Sequence, residues 1–357
     1  MEEEDKIMGL NIVTFGGGTG QRIGLRALSR LKRKSDKITA GCPGSDTGGS
    51  TGVFILEGKG KGYIGDVVKS YAGLTPDPDL AKFLTSRHVG GHLDGDTGGN
   101  LLFVSLEQAL GTEKALRKMN RMFKLGRNQV LPVTLERTSL VATYATGARV
   151  IGETNIDKIT TNPLWNPRDY KITNIELDPP VVGYSKFIDE IKRAHVLIGW
   201  AGDLYTSVLS TILPIGIKEA IMESLAPIIV LVNLMVKRGE TDNYRFEDYR
   251  SSLELRLGRS VDLFLVNSTQ ISWEAEERYR RENKHAPELI RSTQERGDHI
   301  RLCPLLEELP NGLIRHDEKL LAQELEKILQ DKRFIRPTGS NGRLSHVGVW
   351  SMWKPFP

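Results

Sequence analysis

Apolar positions along the chain follow two alternating rhythms, short solid runs and longer stretches with a period near 3.6, and each rhythm predicts an element. Leu10 to Phe15 reads as a short buried strand, after which Gln21 to Leu31 places Ile23, Leu25, Leu28 and Leu31 at helical spacing. Lys37 to Cys42 is a second strand, and a glycine-rich stretch with little period runs from Gly41 to Gly65. Asn100 to Leu110 and Thr112 to Leu125 read as helices. Val130 to Thr134 and Ser139 to Ala145 read as strands, the second turning through Thr146-Gly147 into Arg149 to Glu153 as a hairpin. Thr160 to Pro180, rich in Asn, Pro and Asp, predicts a surface excursion. Regular alternation then returns. Helices are predicted over Ser185 to Arg193, Ile215 to Ser224 and Phe246 to Leu257, with strands over His195 to Gly199, Ile228 to Val232 and Val261 to Val266.

Strands separated by helices of this length predict an α/β protein, a doubly wound Rossmann-like and mostly parallel sheet with helices on both faces and an inserted hairpin region. The expected organisation is one nucleotide-binding domain over residues 1–300, with the hairpin and loop excursion at 130–180 inside it, and a C-terminal helix and tail over 301–357. Sheets of this kind take their ligands outside the carboxyl ends of the strands, so the loops at those ends are where chemistry is sought.

Composition narrows the class. Of 357 residues, 39% are hydrophobic and 26% charged, an ordinary globular balance. The apolar run Ala226 to Val236 is too short to span a bilayer, and the Met-Glu-Glu-Glu-Asp start lacks the basic region of a signal peptide. With only Cys42 and Cys303 there is no disulfide framework, so a reducing cytoplasm is the expectation. The net charge of +4 arises from 49 basic and 45 acidic residues, and the basic run Arg30 to Lys37 carries no interleaved aromatics. Neither a nucleic-acid partner nor a membrane is expected.

The loops supply the candidate chemistry. Gly16-Gly17-Gly18-Thr19-Gly20 lies between the first strand and the first helix, where glycine lets backbone N–H groups approach a phosphate at a helix N-terminus. The dinucleotide fingerprint fails there, because Gln21 stands at its last glycine position. Ser45-Asp46-Thr47-Gly48-Gly49-Ser50 follows the second strand, and Asp46 suits a ribose hydroxyl or a divalent metal. Gly65-Asp66 and the run from Asp94 through Gly99-Asn100 repeat the pattern before helices; singly, each is as well read as a helix cap. In the second half, Gly199 through Asp203-Leu204-Tyr205-Thr206-Ser207 follows a strand, Asn233 and Asn267 end strands, and Glu240-Thr241 follows Asn233. His88 and His92 are four apart, but the glycines between them are poor helix, so a metal pair is not expected.

Taken in order, GGGTG, SDTGGSTG, GGNLL, VLPVTLE, GETNI, GDLYTSVLSTILP, GIKEAI, VNLMVKRGETD and VDLFLVN make the chain resemble the gluconeogenesis factor (YvcK-like) family, within the 2-phospho-L-lactate transferase (CofD) superfamily. The resemblance covers Ile12 to Asn267. It implies a Rossmann-like homodimer that binds a nucleotide sugar, a dinucleotide or another phosphate-bearing small molecule, as a regulator of carbon metabolism and cell shape or as an uncharacterised transferase. The rival it carries is transfer of a phospholactyl group onto a deazaflavin with a divalent metal. In either case Mg²⁺ would be held by Asp46 and Asp66. The chain departs from the family pattern in four places. Asp46-Thr47 replaces paired aspartates, and Val53 stands in place of an arginine. Val67-Val68-Lys69 replaces a segment with Arg and Asn, and Trp200-Ala201-Gly202-Asp203 replaces Gly-Pro-Gly-Ser.

Overall fold

The computed structural model describes residues 9–31, 35–56, 58, 60–166, 168–281 and 299–336. Residues 282–298 and the tail from 337 lie outside the described residues. The strands are β1 (Asn11–Phe15), β2 (Lys37–Cys42), β3 (Gln129–Pro132), β4 (Ser139–Tyr144), β5 (Arg149–Ile151), β6 (Ile172–Asp178), β7 (Val196–Gly199), β8 (Ile228–Leu231), β9 (Leu263–Asn267), β10 (Ile300–Cys303), β11 (Leu306–Glu308) and β12 (Ile314–His316). The longer helices are α1 (Gly18–Leu31), α2 (Gly49–Leu56), α3 (Ile64–Leu74), α4 (Pro78–Thr85), α5 (Gly98–Leu110), α6 (Thr112–Met122), the short α7 (Glu153–Asp157), α8 (Ser185–Arg193), α9 (Ile217–Glu223), α10 (Phe246–Leu257), α11 (Trp273–Arg281) and α12 (Glu318–Gln330).

Among the described residues the central sheet runs β10-β9-β8-β7-β1-β2-β3, and every pair in it is parallel. The chain winds outward from β1 through β2 to β3, then returns to β7 on the other side of β1 and winds outward again. Strand order therefore reverses between β1 and β7, and a crevice opens at their carboxyl ends because the two connecting segments leave toward opposite faces.

Alternation within a strand assigns its residues to two cores. Ile12, Ile38, Val196 and Ile198 join the layer built from α1, α3, α5 and α12. Val13, Phe15, Leu197 and Phe264 face α8, α9 and α10. Leu25 and Leu28 on α1 are buried, each contributing roughly 1.5–3 kcal/mol of apolar transfer. The second core also takes in a small antiparallel sheet, β5-β4-β6, inserted between β3 and β7.

Several elements differ from the sequence expectation. Helix α2 forms within the stretch read as unstructured glycine loop. The excursion contains β6, an edge strand paired along β4 in the inserted sheet rather than irregular surface chain. A register shift at Thr143/Tyr144 and irregular burial along β6 blur the two-residue period that would have revealed it. At the far end, β10 joins the main sheet beside β9, and α12 lies against α1. No described helix is long and apolar enough to cross a membrane.

Candidate ligand-binding cleft

Just past Phe15 the chain turns through Gly16 (φ 139°) and Gly18 (φ 65°), backbone geometry that L side chains rarely adopt. The glycines after β1 divide into two roles. A Cβ on Gly20 would lie 1.6 Å from the Ala201 carbonyl oxygen, and one on Gly24 2.3 Å from the Trp200 ring, so these two let α1 pack against the loop after β7. Gly17 is pressed similarly between Asp66, Pro43 and Ser207. Gly18 alone among them faces open space, with nothing within 4 Å of a Cβ. Gly18 and Thr19 line a cleft of about 410 Å³ at the switch point.

Four carboxylates reach this cleft: Asp46, Asp66, Glu153 and Asp203. Asp66 sits in the first turn of α3 yet does not cap that helix; its Oδ1 accepts from the Gly18 N–H of α1 at 2.8 Å. Asp46 Oδ1 accepts from Gly48 N–H at 2.7 Å, folding the loop before α2 back on itself. Glu153 is delivered by the inserted sheet. Thr154 donates through Oγ1 to the Thr47 carbonyl at 2.9 Å, which fastens the start of α7 to the Asp46 loop. Glu153 has no hydrogen-bond or ion-pair partner among the described residues. Burial, and then Asp66, push the Asp46 carboxyl up to about 6; burial, followed by Asp46 and Asp66, holds Glu153 well above the usual carboxylate range.

Positive charge at the cleft comes from Lys69 and Arg87. Lys69 Nζ lies 3.3 Å from Asp66 Oδ1, and its ammonium is held above its ordinary pKa chiefly by Asp66, against the effect of burial. The Arg87 guanidinium donates to the Gly95 carbonyl.

The negative charge of Asp203 is answered within the protein. Lys237 Nζ lies 2.8 Å from Asp203 and 3.1 Å from Asp157. Glu240 is buried beside them; its Oε1 accepts from Thr206 Oγ1 at 3.1 Å and its Oε2 from Tyr205 N–H at 3.3 Å. Oxygens of Asp157, Asp203 and Glu240 lie within 4.8 Å of one another, the spacing of a metal cage, but here the Lys237 ammonium already pairs with two of the three.

Of the residues singled out from sequence, Gly18, Thr19, Asp46, Gly48, Asp66, Asn100, Asp203 and Ser207 line the cleft. Gly16, Gly17, Gly20, Gly99 and Gly199 make close packing contacts around it. Gly49 and Ser50 open α2. Tyr205, Thr206, Glu240 and Thr241 form the buried layer behind it, with the Tyr205 hydroxyl 2.6 Å from that of Tyr244 and Thr241 Oγ1 accepting from Lys237 N–H at 2.8 Å. Asn233 grips the loop after β7, its Oδ1 accepting from Gly202 N–H at 3.0 Å and its Nδ2 donating to the Gly202 carbonyl. Asn267 stands apart on β9 and accepts from the backbone of Thr269 and Leu305. His88 and His92 are exposed and do not line the cleft. The Cys42 thiol is pushed up by burial, away from nucleophile chemistry. Lys69, Arg87 and Glu153 are the lining groups the residue-by-residue reading did not select. A hint for Glu153 lay in the motif GETNI, but its approach to Asp46 depends on the inserted sheet.

Comparison with known proteins agrees with this arrangement. The family model for 2-phospho-L-lactate transferase CofD matches residues 12–301. The chain belongs to the CofD family. Within it, this member is similar to gluconeogenesis factor from Bacillus subtilis, at 29% identity over 327 residues, 90% of this chain and 98% of that protein. A relative from Thermotoga maritima is 35% identical over 326 residues, covering 89% of this chain and 99% of its own. Among solved structures, protein BH3568 from Bacillus halodurans superposes with a TM-score of 0.78 at 27% identity, covering 90% of this chain and all of that one. This CofD-family member therefore shares the YvcK-like gluconeogenesis-factor architecture along nearly its whole described length.

Proposed function

We propose that this chain binds a nucleotide sugar or dinucleotide in the switch-point cleft, with the diphosphate over Gly18 and Mg²⁺ held by Asp46 and Asp66. In this reading it works as a YvcK-like homodimeric regulator of carbon metabolism and cell shape in the cytoplasm. The observation that carries the reading is the meeting of clear space over Gly18, at the start of α1, with clustered carboxylates that outnumber the cations lining the cleft. The helix dipole favours an anion over Gly18. The carboxylates oppose one, and a hard divalent cation with oxygen ligands reconciles the two. Asp46, Asp66 and Glu153, the last without a partner among the described residues, fit such an ion by donor chemistry and by their mutual repulsion. When bound, the cation would supply neutralisation of diphosphate charge. The protein's own part is to orient the two aspartates through the Gly18 and Gly48 amides and to keep the space over Gly18 clear.

The test is calorimetric titration with UDP-glucose, UDP-N-acetylglucosamine and NADH, each with Mg²⁺ and with chelator. Binding of at least one, dependent on Mg²⁺ and lost in Gly18→Val, is the expected result. The reading is wrong if none binds, or if Gly18→Val binds as well as the parent. Mass spectrometry of ligand retained through native purification identifies the base and sugar, and a retained deazaflavin would point instead to phospholactyl transfer.

A further inference from the structure

The acidic cleft poses a charge problem for any phosphate ligand. Asp46, Asp66, Glu153 and Asp203 line it against Lys69 and Arg87. Arg87 is engaged with the Gly95 carbonyl, and Asp203 is answered from behind by Lys237. Lys69 is the cation in direct contact with the proposed metal-binding carboxylates.

Its setting is that of a placeholder. Lys69 follows Asp66 by three residues on α3 and reaches the Asp66 oxygen that also accepts from Gly18 N–H. The pair is lopsided: the Lys69 side chain is 40% exposed and the Asp66 side chain 8%. A long flexible stem carries the ammonium, so the contact at 3.3 Å can be given up without moving the backbone. Asp66 cannot follow, being buried and bonded to the start of α1.

We infer that Lys69 is an exchangeable cation: it neutralises Asp66 in the free protein and, once a divalent ion takes that carboxylate, moves onto the incoming phosphate. A doubly charged ion with carboxylate ligands outcompetes one ammonium held at a single point. The released ammonium remains in the cleft, one turn along α3 from Asp66, where a phosphate oxygen offers it a charge-assisted hydrogen bond. The order of binding follows, cation first and anion second.

This inference rests on the cation and diphosphate reading above, and its test separates the two. Mn²⁺ alone is titrated into the full chain by electron paramagnetic resonance, and inorganic pyrophosphate is then titrated by calorimetry at saturating Mn²⁺. In Lys69→Met, Mn²⁺ binding to the free protein should tighten about threefold, because the competing ammonium is gone. Pyrophosphate affinity at saturating Mn²⁺ should weaken about tenfold. Opposite signs are the signature, since a merely structural lysine would weaken both. Lys69→Gln, with thermal melts of each variant, guards against a folding defect peculiar to methionine. Unchanged or weaker Mn²⁺ binding, or undiminished pyrophosphate binding, in variants that melt like the parent overturns the exchange and leaves the cleft reading standing. A parent protein that binds neither probe overturns both.

Discussion

Two clusters of three carboxylates and one lysine flank the same crevice, and they are built to opposite ends. Around Lys237, the ammonium touches Asp203 and Asp157, its side chain is 18% exposed, and Glu240 accepts from Thr206 and the Tyr205 amide. Around Lys69, the ammonium makes a single contact with Asp66 at 3.3 Å and Glu153 has no partner among the described residues. The first cluster is a closed network, each of its carboxylates engaged by a donor or ammonium that the fold itself supplies. The second is open toward the cleft, with Glu153 left without a partner among the described residues. Acidic residue counts do not distinguish them. What separates a structural cluster from a ligand-binding one is whether the protein satisfies it internally.

The comparison breaks most sharply at the lysines. Lys237→Met should cost about 2 kcal/mol of unfolding free energy, because it removes the ammonium that bridges Asp157 and Asp203 beside the buried Glu240. Lys69→Met should cost less than about 1 kcal/mol, as expected for an exposed partner. Urea denaturation of both variants checks this, and equal losses would erase the distinction.

Next in size is the loss of ligand binding from the open cluster. Asp46→Asn and Asp66→Asn should fold within about 1 kcal/mol of the parent, since asparagine also accepts from the Gly48 and Gly18 amides. Each should lose the Mg²⁺-dependent part of ligand affinity, about tenfold or more. Calorimetry with Mg²⁺ and with chelator decides it; unchanged affinity would leave both aspartates as loop-bracing groups.

A smaller effect sharpens the closed cluster. Burial first, and then Asp203, push the Glu240 carboxyl from 4.5 up to about 8. The folded chain then holds this proton more tightly than the unfolded chain, so the term favours folding at low pH and is lost as pH rises from about 4.5 through about 8. Glu240→Gln should therefore gain stability relative to the parent at pH 8 compared with pH 5, measured by urea titration at each pH. A difference independent of pH would mean that Glu240 stays ionised throughout.

The smallest expected change lies outside both clusters. Asn267→Ala should lose about 1 kcal/mol through the backbone bonds to Thr269 and Leu305, with ligand affinity unmoved. A drop in ligand affinity there would extend the site beyond the switch point.

Particular elements show what could be read from residues alone. The solid apolar runs at β1, β2, β7, β8 and β9 and the helical spacing of α1 and α10 are local signals, complete within a dozen residues, and they carried the doubly wound fold. The glycine loop after β1, Asp46 and Asp66 were equally visible, because chemistry at strand ends follows from the fold class. Helix α2 was hidden by its glycines, and β6 by an irregular period.

Sequence by itself thus determined the doubly wound class of the sheet and several of the loops that meet at its carboxyl edge. Tertiary structure decided which acids meet which cations. Glu153 reaches Asp46 only because an inserted sheet is fastened to the β2 loop through Thr154 and Thr47. Asp203 is harmless to an anion only because Lys237, beyond the next strand, closes on it at 2.8 Å. Electrostatic energy varies with distance and burial between side chains far apart in the chain, and neither quantity is written in local spacing.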